Sequence, residues 1–389
     1  MASNPSAVST TAVSTTVSTT AVSTTGPAAV RLRPHHPVLR RGPGAVQLGV
    51  LPGRAVEATG LSPPLLTLLL ELNGSWPVDE LVARAVELGA DQADVRALLA
   101  DLRAEEGLLD AVAARRAAQA RQSAHVLVRG AGLLLSPVTA GLAAAGIGTL
   151  WVESEPAPPA HGVDPAEVRR LAPAAAVTPE APDRPLTDAV VAEVRRLAPA
   201  SKVRAGPSRR RPDLVLLTDV LAPDPRRHRE FLLKGVPQLV VRLMDGIGLV
   251  GPLVLPGRTA CLRCLDLHRA ARDPSWPTVA AGLSGQVGTA SPATVQATAA
   301  LAAEQAMIAV EPMTSAEPPP TLDAVLELDT RRGTARRRQW APHPECGCGA
   351  AHTRQGGAVR TASTSASIPR PGGPTTEQAR AACGGRSEQ

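Results

Sequence analysis

The sequence predicts an α/β protein: a mainly parallel, helix-covered sheet, preceded by a small winged-helix-like domain and flanked by disordered tails. Three observations predict it. Apolar runs of strand length alternate with helix-length segments from 123 to 349. Three helical segments followed by a strand pair occupy 36 to 112. Both ends of the chain are small or polar residues that offer little to bury.

At 389 residues the chain has room for two or three domains. No apolar run reaches the roughly 18 to 20 residues that span a bilayer, and the N-terminus lacks the basic stretch and apolar block of a secretory signal. The reading is therefore a cytoplasmic protein without membrane contact. Lys202 and Lys234 are the only lysines, and the residue usage fits a GC-rich coding sequence better than any chemistry. The net charge is +6, and from Arg331 onward ten arginines face Glu345, Glu377 and Glu388, an excess of +7. The basic excess thus reads as a property of the C-terminal tail. With no aromatics interleaved it argues against specific nucleic-acid binding.

Residues 1–35 are read as a disordered tail, since the near-repeat of "AVSTT" carries almost no charge and no large side chain. In 36–112, "VQLGV" reads as a strand. "SPPLLTLLLELNG" reads as a helix with Ser62 as cap and Pro63 in the first turn, and "PVDELVARAVELG" as a second helix closing at Gly89. A third helix spaces Val95, Leu98, Leu99 and Leu102 on one face and ends in the strand-like "GLLDAV". This is the outline of a winged helix. Its last helix carries Asp91, Asp94, Asp101, Glu105 and Glu106 against Arg96 and Arg103, so phosphates repel it and peptide or intramolecular docking is the better use.

In 123–349, "AHVLVRG", "GTLWVE", "PDLVLLTD" and "PQLVVRLM" are the strands, separated by helices such as "LTDAVVAEVRRLAP". The first strand runs into Gly130-Ala131-Gly132, the helix "SPVTAGLAAAG" and a second strand carrying Glu153, an order that fits a mononucleotide-binding unit. Leu135 stands where a third glycine is expected and should either push helix from strand or turn toward the ligand space. A second glycine stretch, "GIGLVG" at 246–251, has the right spacing, but Pro252 and a continuing strand follow, so it reads as a turn. Residues 350–389 are read as a second disordered tail, with Cys383 in it.

Four cysteines form two short pairs, Cys261/Cys264 and Cys346/Cys348, roughly eighty residues apart. A structural zinc held by four thiolates is the leading reading. His343 or His268 stands as a substitute ligand; a redox pair and inert thiols are the alternatives.

"VLVRGAG…AAAGIGTLWV", "PDLVLLTD", "GLVGPLVLPGRTACLRCLDLHRAARDPSWP" and "HPECGC" together resemble the ThiF/MoeB-type adenylyltransferases, relatives of ubiquitin-activating enzymes. More closely they look like the actinobacterial branch of ThiF-like proteins that carries an N-terminal leader-peptide-recognition module. The resemblance covers about 36–349. It implies a Rossmann-like fold and ATP and Mg2+ as cofactors, with AMP transferred to the C-terminal carboxylate of a peptide or small carrier protein. It places Gly130 and Gly132 against the nucleotide, Glu153 at the ribose, Asp219 near Mg2+ and the adenylate, and Cys261, Cys264, Cys346 and Cys348 on zinc. It also implies pairing of two copies through the α/β domain. The chain departs from the family where a triphosphate needs cations. Arg169, Arg170, Arg184 and Arg195 are on offer, but no lysine lies in that interval and no cysteine is left over for a thioester. Three functions follow: an adenylyltransferase, an inactive leader-peptide-binding partner of a separate modifying enzyme, and a regulatory winged-helix protein.

Overall fold

A computed structural model describes residues 29–33, 35–105, 107–154, 186–208, 210–312 and 318–356. Most of both predicted tails, Cys383 and the candidates Arg169, Arg170 and Arg184 lie outside the described residues.

The N-terminal part begins with β1 (Ala29–Leu32), inside the stretch read as tail. Val30 is buried, and β1 pairs antiparallel with β5 (Asn73–Pro77) on one side and β6 (Leu108–Asp110) on the other. Four residues were too short a run to stand out beside the repeat. A second antiparallel sheet joins β2 (Val38–Gly42), β3 (Ala45–Leu48) and β4 (Val56–Ala58) in that order. Three helices cover them: α1 (Pro63–Glu71), α2 (Val78–Glu87) and α3 (Gln92–Ala104). Val95, Leu98, Leu99 and Leu102 of α3 are all buried, in one core with Leu48, Leu68 and Leu81. Asp91 caps α3 by accepting the N–H groups of Ala93 and Asp94. Ser62 stands at the cap position of α1 but its side chain makes no cap bond. A fourth helix, α4 (Ala111–Ser123), capped by Asp110, leads into the larger part.

The larger sheet has eight strands. Five are parallel: β7 (His125–Gly130), β8 (Thr149–Ser154), β9 (Lys202–Ala205), β10 (Leu214–Thr218) and β11 (Gln238–Met244). Beyond β11 the sheet continues antiparallel through β12 (Ile247–Val254), β13 (Ala324–Asp329) and β14 (Thr334–Gln339). The order is β14-β13-β12-β11-β10-β7-β8-β9. This is the mainly parallel, Rossmann-like α/β arrangement that the apolar runs predicted.

One face is covered by α5 (Leu135–Ala144), α6 (Leu186–Leu197) and α10 (Pro292–Val310), which share a core with Val126, Val128, Leu216 and Val241. On the other face, α7 (Pro225–Leu233) brings Phe231 against Leu127, Val215 and Leu217. The same side carries α8 (Leu262–Arg272) and α9 (Trp276–Gly282). Successive strand residues point to opposite faces, so both sets come from the same apolar runs. A last helix, α11 (Ala350–Gly356), lies in the stretch read as the C-terminal tail, where Thr353 donates to the carbonyl of Gly257. The basic excess is not confined to that tail either, because Arg336, Arg337 and Arg338 belong to β14. Among the described residues no helix is long and apolar enough to cross a membrane.

Candidate functional site

β7 ends at Gly130 and α5 begins at Leu135, so the glycine turn sits at the C-terminal edge of the parallel strands, with a helix N-terminus pointing at it. Such a turn presents free backbone N–H groups that suit an anion. Here the place of the anion is taken by the Asp219 carboxyl. Asp219 follows β10 in a left-handed conformation (φ 74°), is fully buried, and accepts the N–H of Leu134 at 2.7 Å and the hydroxyl of Thr218 at 2.8 Å. The backbone N–H groups of Gly132 and Ala131 lie near the same carboxyl and favour its charged form. Burial pushes its pKa up, and these hydrogen bonds pull against the shift.

The two glycines are required by this packing. A Cβ on Gly130 would overlap the Thr218 hydroxyl and lie 2.6 Å from Asp219 Oδ2; one on Gly132 would overlap Val287. Val287 belongs to the loop 284–290, which crosses the strand ends: Leu221 N–H donates to the Gln286 carbonyl at 2.8 Å and Gly288 N–H to the Asp219 carbonyl at 3.1 Å. Thr218 and Val287 were not legible as site residues, since nothing in a strand-end threonine or a loop valine signals contact with a distant turn.

Glu153, on β8 beside the turn, pairs with Arg129 at 2.8 Å, both side chains about 15 % exposed (16% and 15%). Arg195 is far from any phosphate role: its guanidinium donates to the Val203 carbonyl and ties α6 to β9. Of the lysines, Lys202 is misplaced for one, while Lys234 lines a cavity of about 820 Å³ with Arg129, Glu153, Arg210, Arg211 and Arg227. Lys202 opens β9 in register with Thr149 and His125, at the N-terminal edge of the sheet, and Lys234 pairs with Glu230 at the end of α7.

The four cysteines converge. Cys261 is the N-cap of α8 with Cys264 in its first turn, while Cys346 and Cys348 come from the turn after β14. Their sulfurs lie 3.8 Å (261–264), 3.6 Å (261–346) and 3.6 Å (264–348) apart, and all four lie within 4.8 Å of one another. A tetrahedral ion with metal–sulfur bonds of about 2.3 Å needs sulfurs roughly 3.8 Å apart, so the set fits a metal ion of that kind. Asp323 accepts the Ala260 N–H at 2.6 Å and His228 Nε2 accepts the Leu262 N–H at 3.3 Å, which fixes the approach of α8. The histidine substitutes are not needed: His268 bonds the Ala341 carbonyl, and His343 Nδ1 accepts the Glu345 N–H.

No family model and no curated protein matches the chain. Solved structures do. E. coli MccB with ATP aligns over 82% of this chain and 99% of its own, with a TM-score of 0.59 at 12% identity. The fold is that of MccB. A second structure, the Microcin C7 biosynthetic enzyme MccB in complex with N-formylated MccA, gives 0.58 at 13% over the same shares. A heterocyclase in complex with substrate and cofactor gives 0.50 at 16%, over 83% of this chain but 40% of the heterocyclase.

Within this MccB-like fold two readings of the glycine stretches change. Leu135 neither splays the helix nor faces a ligand; it is fully buried in the core under α5. In "GIGLVG" only the first glycine turns the chain: Asp245 and Gly246, both with positive φ, close the hairpin, and Ile247 onward is β12. Gly248 is there because α10 crosses so closely that a Cβ would overlap Thr298.

Proposed function

We propose that this chain binds the leader segment of a precursor peptide and presents it to a separate modifying enzyme, using a carboxylate-activating scaffold whose nucleotide cradle is filled from within. The observation that carries the reading is the Asp219 carboxyl, which takes the Leu134 N–H at the entrance of α5 and lies against Ala131 and Gly132. A phosphate would have to displace it. Two further features support the same reading: Glu153 is engaged by Arg129, and Lys202 lies at the opposite edge of the sheet from the glycine turn. The heterocyclase likeness also favours it, since there the matched fold is 40% of a longer chain.

The N-terminal part, residues 36–112 of the sequence reading, is the proposed peptide module. Helices α1–α3 beside a small sheet support the winged-helix-like reading, and β2 and β4 are edge strands that an extended peptide can join. Exposed acidic residues on α3 turn nucleic acid away. The 123–349 domain is the proposed scaffold, with a structural zinc on Cys261, Cys264, Cys346 and Cys348 and a cytoplasmic location.

A second reading has one observation in its favour, the alignment with nearly the whole length of MccB, solved with ATP. In that reading the chain adenylates the C-terminus of a peptide or small carrier protein, with Gly130, Gly132 and Glu153 on ATP and Asp219 released to Mg2+. Calorimetry with ATP and Mg2+, and ATP–pyrophosphate exchange with candidate precursor peptides, separate the two. The binding-partner reading expects no heat and no exchange, together with saturable binding of a labelled leader peptide in fluorescence anisotropy. Peptide-dependent exchange would overturn it in favour of adenylation.

A further inference from the structure

Across the loop 284–290 from the glycine turn lies a separate cavity of about 270 Å³, between the ends of β10 and β11 and the helices α8 and α9. Its wall includes Leu221, Arg242, Met244, Asp266, Arg269 and Trp276. Arg242 is a charged residue inside an apolar strand. It alternates with Val240 and Met244 on the α8 face of β11, and is 4% exposed. Nη1 donates to the Leu221 carbonyl at 2.8 Å, while Nε has no acceptor among the described residues. A buried guanidinium N–H without an acceptor is costly, and an anion in the cavity would relieve it.

The surroundings define which anion. Arg269 lies between the rings of Trp276 (4.8 Å) and Trp340 (5.3 Å) and donates to Asp266 Oδ1 at 3.1 Å; Trp276 Nε1 donates to the same oxygen at 3.2 Å. The charged groups of the wall are thus Arg242, Arg269 and Asp266, two positive and one negative, net +1. Burial, and then the nearby Arg269 charge, pull the Arg242 pKa down to about 10, the sign of a guanidinium short of negative neighbours. A single excess charge matches a monoanion, and Asp266 opposes a dianion.

We propose that this cavity is a carboxylate-binding site, with Arg242 as the principal donor, Arg269 beside it, and the ligand's apolar stem against Leu221, Met244 and Trp276. The planar guanidinium fork suits a carboxylate's two oxygens. The inference rests on Arg242 and its charge balance, so its failure would leave the peptide-binding reading standing.

The test uses the full chain with 15N-labelled arginine and follows the Arg242 Nε–Hε signal during titration. Three probes separate the sources: N-acetylglutamine carries only a terminal carboxylate, N-acetylglutamate α-amide only a side-chain carboxylate, and N-acetylglutamine amide none. The expected result is a saturable downfield shift with at least one of the first two and none with the third. Whichever binds identifies a peptide end or an acidic side chain as the source. Arg242→Gln should weaken binding about tenfold or more, read from ligand signals. Should that variant not fold, Asp266→Asn decides, because removing the competing carboxylate must tighten binding. An equal response to the neutral amide, a response to inorganic phosphate alone, or unchanged affinity in Asp266→Asn would overturn the proposal.

Discussion

Leu134 donates its backbone N–H to Asp219 at 2.7 Å, so the entrance of α5 ends on a carboxylate from the chain itself. Asp219→Ala leaves the buried Leu134 N–H and the Thr218 hydroxyl without this acceptor. A loss of about 1–3 kcal/mol in urea unfolding is expected. Inorganic phosphate should then recover part of the loss in the variant and leave the wild-type midpoint unmoved. A similar phosphate response in both proteins would mean that Asp219 does not occupy the anion's place.

The same carboxyl sets a pH dependence. Its folded pKa is raised, chiefly by burial, so the folded protein keeps this proton to higher pH than the unfolded chain, whose aspartates titrate near about 3.9. The stability it contributes is fully present below that value and is lost as pH rises through the folded pKa. Asp219→Asn should remove this downward limb from a stability–pH curve. An unchanged limb in the variant would assign it to another group.

Much of this fold was legible because its buried strands are continuous apolar runs. Val126–Val128, Leu214–Leu217 and Leu239–Val241 are buried on both faces, and a strand with one face in water would alternate apolar with polar residues instead. The cysteine pairs were legible because thiols at such spacing converge for few reasons other than a metal. β14 was not: every residue of "TARRRQ" is exposed, and its arginines looked like tail. β1 was hidden by its shortness, and the hydrogen bond that closes the glycine turn by distance, since Asp219, placed near the nucleotide only through the family resemblance, lies 85 residues beyond Leu134. Arg242 did interrupt its apolar run, but a strand arginine announces its burial only once α8 is seen to cover that face.

The thiol cluster bridges residues 85 apart, Cys261 and Cys346, so a metal ion there would clip the loop before α8 to the turn after β14. Cys261→Ser is expected to lower the zinc content of purified protein and to lower its melting temperature, and a chelator should do the same to the wild type. Metal analysis with scanning calorimetry reads both. A variant of normal stability and unchanged metal content would remove the structural role.

His228 joins this corner to the sheet. It is buried, with Nδ1 2.7 Å from Gln238 Oε1 and Nε2 accepting the Leu262 N–H, an arrangement that requires the neutral ring. Burial holds its pKa below the usual histidine value. The stability it contributes is therefore present above the unfolded value of about 6.5 and is lost as pH falls through the folded one. His228→Ala should cost about 1–3 kcal/mol at neutral pH and abolish that acid limb. Denaturant unfolding from pH 7.5 to 5 would show both, and a variant with the wild-type acid limb would refute the assignment.

Gly132 distinguishes a glycine kept for a ligand from one kept for the chain's own packing. Its Cβ would overlap Val287 Cγ1 and come within 3.0 Å of Asp219 Oδ1. Gly132→Ala should therefore destabilise the apo protein, by about 1–3 kcal/mol, with no nucleotide present. Val287→Ala removes the atom that is struck, so the double variant should be more stable than the two single losses predict, a coupling of about 0.5 kcal/mol or more. The carboxylate contact remains, so rescue should be partial. Strict additivity, or a Gly132→Ala protein as stable as the wild type, would mean that loop 284–290 does not rest on the turn and that the cradle stands open to a ligand.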